Sequence, residues 1–118
     1  MKLIIAGTRT FGDQRHFDYV MTGWEKDATE VFSGECPGPD RMGERWARQH
    51  GIPVRRFPAD WAMHGRKAGP IRNAQMAEEA DQAIVFWDGR SRGTRNLMEE
   101  MRKRGKNVEI ALFGATHE

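Results

Sequence analysis

Two runs, "KLIIAG" ending at Gly7 and "QAIVFW" ending at Trp87, hold apolar residues at consecutive positions with no polar alternation. A strand with one wet face alternates, so an unbroken run needs cover on both faces, as in a parallel sheet between helices. The intervening segments offer that cover. From Asp13 to Lys26, Phe17, Val20, Met21 and Trp24 recur at helical spacing, with Asp13 placed to cap the first turn. "TEVFS" (Thr29 to Ser33) reads as a second strand. The helix "RMGERWARQH" follows, with Asp40 as its expected N-cap and Gly51 at its end. "IPVRRFP" reads as a short third strand, at an edge because of Pro53. Ala59 to Lys67 has no period and is expected as a long loop. "GPIRNAQMAEEA" opens a helix with Pro70 where a helix tolerates proline. After "QAIVFW", a helix is expected from Thr94 to Arg104, closed by Gly105, then a fifth strand, "NVEIALF", and a tail.

Five strands alternating with four helices specify one α/β domain over residues 1–118, with a parallel sheet covered on both sides and right-handed crossovers. The 118 residues are 31% charged and 38% apolar, a balance suited to a single soluble core. The formal net charge is +2, and basic and acidic residues interleave along the chain. A dedicated duplex-DNA binder concentrates its cations, so nucleic acid is not the expected partner. The single cysteine, Cys36, excludes an internal disulfide. No run approaches the roughly 18 apolar residues of a membrane span, so a cytoplasmic location is expected, without membrane contact. His16, His50, His64 and His117 show no ligand spacing, and neither metal nor cofactor is expected.

Open parallel sheets bind ligands beyond the carboxyl ends of their strands, where the strand order reverses. With order 3-2-1-4-5, the loops on that side are "GTRTFGD", "SGECPGPD", "ADW" and "DGRSRGT". Three run into helix N-termini, whose free N–H groups favour phosphate or carboxylate. Gly7, Gly34, Gly38, Gly89 and Gly93 stand in or beside these loops. Arg9, Arg41, Arg72 and Arg92 or Arg95 are positioned to add bidentate contacts to phosphate. Each residue also has an ordinary structural reading. Asp88-Gly89 is common turn chemistry, Arg72 and Asn73 suit a cap or an ion pair, and Trp61 serves either as a loop anchor or as a stacking platform. Trp24 and Trp46 read as core. Neither a P-loop nor a dinucleotide-binding glycine fingerprint is present. A nucleotide-like small molecule is the expected ligand.

Taken together and in order, "GTRTF", "SGECPGPDRMGERWA", "FPADW", "GRKAGPIRNAQMA" and "ADQAIVFWDGRSRGT" resemble the YspA-type, cpYpsA-related branch of the SLOG superfamily, from about Leu3 to Leu112. Wider members of that superfamily include the lonely-guy phosphoribohydrolases and the DNA-processing protein A fold. The resemblance implies a Rossmann-like, three-layer domain that binds nucleotide-derived ligands in this crevice, and pairing of copies into a homo-oligomer. It assigns Ser33, Gly34, Gly38, Asp40, Arg41, Arg45, Trp46 and Ala47 to one motif, and Ala68, Gly69, Pro70, Arg72, Asn73 and Met76 to another. The usual "GGArGAD" loop is here the stiffer, more acidic Gly34-Glu35-Cys36-Pro37-Gly38-Pro39-Asp40.

The last elbow departs from the lonely-guy pattern P-G-G-x-G-T-x-x-E. Gly93-Thr94 match its Gly-Thr pair, but Leu97 stands where the glutamate belongs. Glu99 points to the other side of the helix, and Glu100 lies nearly a turn further along. N-glycosidic hydrolysis would need another carboxylate near the anomeric carbon, with Asp40, Asp60 and Asp88 as candidates and Asp88 as the expected catalytic group. Arg9, Arg72 and the Gly93-Thr94 helix start would then hold the 5′-phosphate, and Ser91 the phosphate or ribose. The competing expectation is a non-catalytic sensor or sequestering protein for a nucleotide signal. A nucleic-acid processing accessory rests on the superfamily alone.

Overall fold

A computed structural model describes residues 1–114; the tail 115–118, with His117, lies outside the described residues. Five parallel strands form one sheet in the order β3-β2-β1-β4-β5, as expected. They are β1 (Lys2–Gly7), β2 (Glu30–Ser33), β3 (Val54–Arg56), β4 (Gln82–Trp87) and β5 (Asn107–Leu112). The helices are α1 (Gln14–Met21), α2 (Pro39–Gln49), α3 (Trp61–His64), α4 (Ala68–Glu79) and α5 (Arg92–Lys103).

β1 is central, and its alternate residues feed two cores. Leu3 and Ile5 join Phe17 and Met21 of α1 and Met42, Trp46 and Ala47 of α2 on one face. Ile4 and Ala6 join Met76 and Ala77 of α4 and Leu97, Met98 and Met101 of α5 on the other. Leu3, Ile4 and Ile5 are wholly buried, and each such side chain contributes roughly 1.5–3 kcal/mol by leaving water. This two-sided burial is the physical reason for the unbroken apolar run.

Four local expectations are corrected. The first helix ends at Met21, because Gly23 takes a left-handed φ of 94° and Trp24–Lys26 form a separate 3-10 turn. Asp13 does cap its start, accepting from the His16 N–H at 3.1 Å. Asp40 is not the cap of α2: that position belongs to Gly38, Pro39 opens the helix, and the Asp40 side chain turns into the protein. The supposed loop 59–67 holds α3 and a 3-10 turn from Gly65 to Lys67, with Asp60 accepting from the Met63 N–H at 3.1 Å. A four-residue helix is too short to show a period. Finally, α5 begins at Arg92 rather than Thr94, capped by the Ser91 hydroxyl, which accepts from the Thr94 N–H at 3.4 Å.

Candidate functional site

The strand order reverses between β1 and β4, and a cavity of about 310 Å³ opens beyond their carboxyl ends. Ala6 and Gly7 of β1, Met76 of α4 and Leu97 of α5 supply apolar lining. One wall is the start of α5, from Ser91 to Thr94. Trp61, Arg66 and the start of α4 also line it, together with Arg9, Cys36, Asp40 and Asn96. A smaller space of about 220 Å³ adjoins it, lined by Gly34, Glu35, Cys36, Pro37, Pro58 and Ala59, and shares Arg9, Cys36, Trp61 and Arg72 with the first.

The cavity is held open by a hydrogen-bonded brace. Arg72, buried on α4, donates Nη1–H to the Gly34 carbonyl at 2.5 Å and Nε–H to the Asn73 side-chain oxygen at 3.0 Å. Asn73 in turn donates to Asn96 at 2.9 Å and to the Gly93 carbonyl at 3.2 Å. The loop after β2, helix α4 and helix α5 are thereby tied together. Gly38, with φ 84°, allows the β2–α2 loop to approach the chain after β1: a Cβ there would lie 2.8 Å from the Arg9 carbonyl oxygen.

Asp40 lies at the inner end of the brace, 4% exposed, and accepts from the Cys36 N–H at 3.3 Å. Burial pushes its carboxyl up to about 6, against the pull of the Cys36 N–H and the Arg72 charge. It is the one carboxylate among the cavity-lining residues described. Asp88 is placed differently. Its Oδ1 accepts from the Ser91 and Arg90 N–H groups, both at 2.8 Å, and from the Thr8 hydroxyl at 3.3 Å. Those donors hold its carboxyl below the usual range. It shapes the elbow between β4 and α5 and does not line the cavity.

The fold therefore brings together Gly7, Arg9, Asp40, Trp61, Arg72, Asn73, Ser91, Gly93 and Thr94, with Gly34 in the adjoining space. It leaves Ser33, Arg41, Asp60, Asp88 and Gly89 outside both linings. Ser33 and Arg41 instead serve Glu44, which is 1% exposed: the Ser33 hydroxyl donates to it at 2.6 Å, Arg41 at 3.3 Å, and Arg56 at 2.9 Å. Burial would raise the Glu44 carboxyl, but the bonds from Arg56 and Ser33 and the nearby charges hold it below its usual range. Arg66, Arg92 and Asn96 also line the cavity. Arg92 is the expected alternative to Arg95; Arg66 lies in the segment "GRKAGPIRNAQMA" with no role assigned to it, and Asn96 lies in none of the motif segments.

Fold and site define a Rossmann-like α/β domain with an arginine-lined crevice at its switch point. The sequence profile of the YspA, cpYpsA-related SLOG family matches residues 1–64, and the chain belongs to that family. It is similar to the Gene 61 protein of Mycobacterium phage D29, 36% identical over 128 aligned residues that cover 96% of each chain. Among solved structures it is similar to DNA processing protein A from Streptococcus pneumoniae, with a TM-score of 0.75 at 19% identity, a likeness of fold. That match takes in 99% of this chain and 51% of the other, so the chain spans about half the length of that protein. Among the described residues, no helix is long and apolar enough to cross a membrane.

Proposed function

We propose that the cavity binds a nucleotide and holds it without cleaving it. The observation that carries this reading is that one space of about 310 Å³ is lined both by the start of α5 with Arg92 and by Trp61 with Arg66. The first-turn N–H groups of Arg92 and Gly93 have no intrahelical acceptor and suit a phosphate. A Cβ on Gly93 would meet nothing within 4 Å, so this stretch of backbone is open to approach. Arg9 and Arg92 are exposed cations able to close on the phosphate oxygens. Trp61, 53% exposed, offers a ring face for the base, and Met76 and Leu97 an apolar bed. Arg72 acts here as part of the frame, since its donors are engaged with Gly34 and Asn73.

The test is calorimetry with nucleoside monophosphates and the matching nucleosides, together with chromatography for released base. Binding of monophosphates, weaker binding of nucleosides and no free base are expected. Equal binding of nucleoside and monophosphate would remove the phosphate site from the reading.

A second reading, N-glycosidic hydrolysis, is favoured by one observation. Asp40 lines the cavity with a carboxyl near 6, the range a general acid requires at neutral pH. It predicts base release from nucleoside monophosphates that Asp40→Asn abolishes.

A further inference from the structure

We propose that β5 is a self-pairing edge: two copies of this chain join their sheets through antiparallel β5 strands, with Ile110 of one opposite Ile110 of the other. This inference is independent of the nucleotide reading above. The sheet ends in two edges that differ in how they meet another chain. β3, at one edge, spans only Val54–Arg56 and lies between Pro53 and Pro58. Its Arg55 and Arg56 are bonded to Glu79 and Glu44. Short length, proline and charge are what keep a strand edge from pairing with a second chain. β5, at the other edge, has no proline, and Glu109 is its one charge. Its register with β4 runs unbroken from Gln82–Asn107 to Trp87–Leu112. Ile110 and Leu112 are 39% and 64% exposed on it.

The backbone and the charge together select the register. The Phe113 N–H donates to the Trp87 carbonyl at 3.0 Å. Successive residues of a strand turn their backbone groups to opposite edges, so Glu109 and Ala111 also face β4, and Val108, Ile110 and Leu112 face away from it. Among the described residues, the N–H and C=O groups of these three meet no further strand. A two-fold axis through Ile110 sets Ile110 against itself and Val108 against Leu112, so that every one of those groups finds a partner. The three side chains share one face of the sheet, the face on which Val108 packs against the α4–α5 core. Across the axis they form one apolar contact, and Glu109 falls opposite Ala111. An axis through Glu109 would oppose two like charges, which cross-strand pairs disfavour. An axis through Ala111 would set Val108 against Gly114, beyond the end of the strand. The edge therefore complements itself in a single register. The exposure of Ile110 and Leu112 means that α5 leaves this margin uncovered, with room for a second strand. Two sheets of five strands become one of ten, and because the two halves run in opposite directions, their cavities open on opposite sides of it.

The experiment is sedimentation of the full chain over a wide range of concentration, with Ile110→Lys, Ile110→Glu and an equimolar mixture of the two, and circular dichroism to confirm that each is folded. The parent should form a dimer and nothing larger, because the β3 edge is blunted. Each variant places like charges on the two-fold axis and should weaken the dimer about tenfold or more. The mixture should restore it, since lysine then faces glutamate. Leu112→Lys, at a position 64% exposed, should weaken the dimer in the same way and serves where a change at Ile110 disturbs folding. A parent that stays monomeric at every concentration, or that grows beyond a dimer, would overturn the inference. So would a dimer that survives the lysine variants, or a mixture of folded Ile110 variants that stays monomeric.

Discussion

Arg72 and Asp40 close on the backbone of Gly34 from two sides. A Cβ on Gly34 would stand 2.7 Å from Arg72 Nη1 and 2.9 Å from Asp40 Oδ2, so the missing side chain is the space in which the two charged groups meet the loop. The ligand-side geometry of the β2–α2 loop thus depends on a residue that itself offers no chemistry. Arg72 reaches Gly34 across 38 positions of sequence, joining the two halves of the domain above the sheet.

Gly34→Ala is expected to destabilise the protein by about 1–3 kcal/mol, as overpacking of a filled site does, because both groups it would strike are buried and bonded. Urea denaturation of the variant against the parent measures this. A variant as stable as the parent would show that the brace yields easily.

Asp40 gives stability a dependence on pH. Its carboxyl rises from the ordinary 3.8 to about 6 in the folded chain, so between those values the folded protein binds the proton more tightly than the unfolded one. Its contribution is therefore full below about pH 4 and is lost as pH rises through 6. Asp40→Asn lacks that titration. The stability of the asparagine variant relative to the parent should increase from pH 4 to 7, by up to about 3 kcal/mol at 1.36 per unit. Denaturation midpoints at a series of pH values check the sign; a difference that is flat in pH would refute the assignment.

Glu44 behaves in the opposite sense. Its folded carboxyl lies below the usual 4.5, so its stabilisation is present above that value and fades as pH falls through the folded pKa. Glu44→Ala leaves the Ser33 hydroxyl and the Arg56 and Arg41 guanidiniums without their shared acceptor. A loss of about 1–3 kcal/mol at neutral pH is expected, chiefly from the buried Ser33 hydroxyl left without its acceptor, since Arg41 and Arg56 are half-exposed; thermal melting reads it. The loss should shrink on acidification.

Trp61 separates binding from folding. Because it is 53% exposed, Trp61→Ala should change stability by under about 1 kcal/mol, as most surface substitutions do. The same change should weaken nucleotide binding by about 1–3 kcal/mol, the usual worth of one stacked base. Calorimetry and a melting curve on one sample decide between a stacking face and a loop anchor, since an anchor would lower both together.

What could be read from the sequence follows from what is local. The runs "KLIIAG" and "QAIVFW" declare β1 and β4 because burial on both faces leaves no polar position. Asp13, Gly51 and Gly105 mark helix ends through their own backbone chemistry, and both glycines adopt the left-handed φ expected of them. The misplacements are equally physical. Asp40 precedes a helical pattern as a cap would, but Pro39 with its fixed φ and Gly38 at φ 84° start the helix earlier and turn Asp40 inward. Asn96 gives no signal in the sequence because nothing beside it reveals a cavity; only the adjacency of α4 and α5 brings it there, as the 3-10 turn before α4 brings Arg66. Asp88 stands after a strand at the switch point, the pattern that makes it the expected catalytic group, and the fold engages its Oδ1 with the N–H groups of its own turn.

The seam between β1 and β4 governs how the cavity comes to exist. β1 pairs with β4 from Leu3–Gln82 through Gly7–Phe86, so the floor of the cavity is stitched from segments some eighty positions apart. Ala6, Gly7, Arg9, Cys36, Asp40 and Trp61 of the lining precede Gly65 and the other twelve residues follow it, so neither part of the chain forms the cavity alone. During synthesis the first strand waits for the fourth, and the cavity forms only after the start of α5 has been made. A nick in the exposed stretch around Gly65 would yield two fragments that rebuild the cavity only by finding one another.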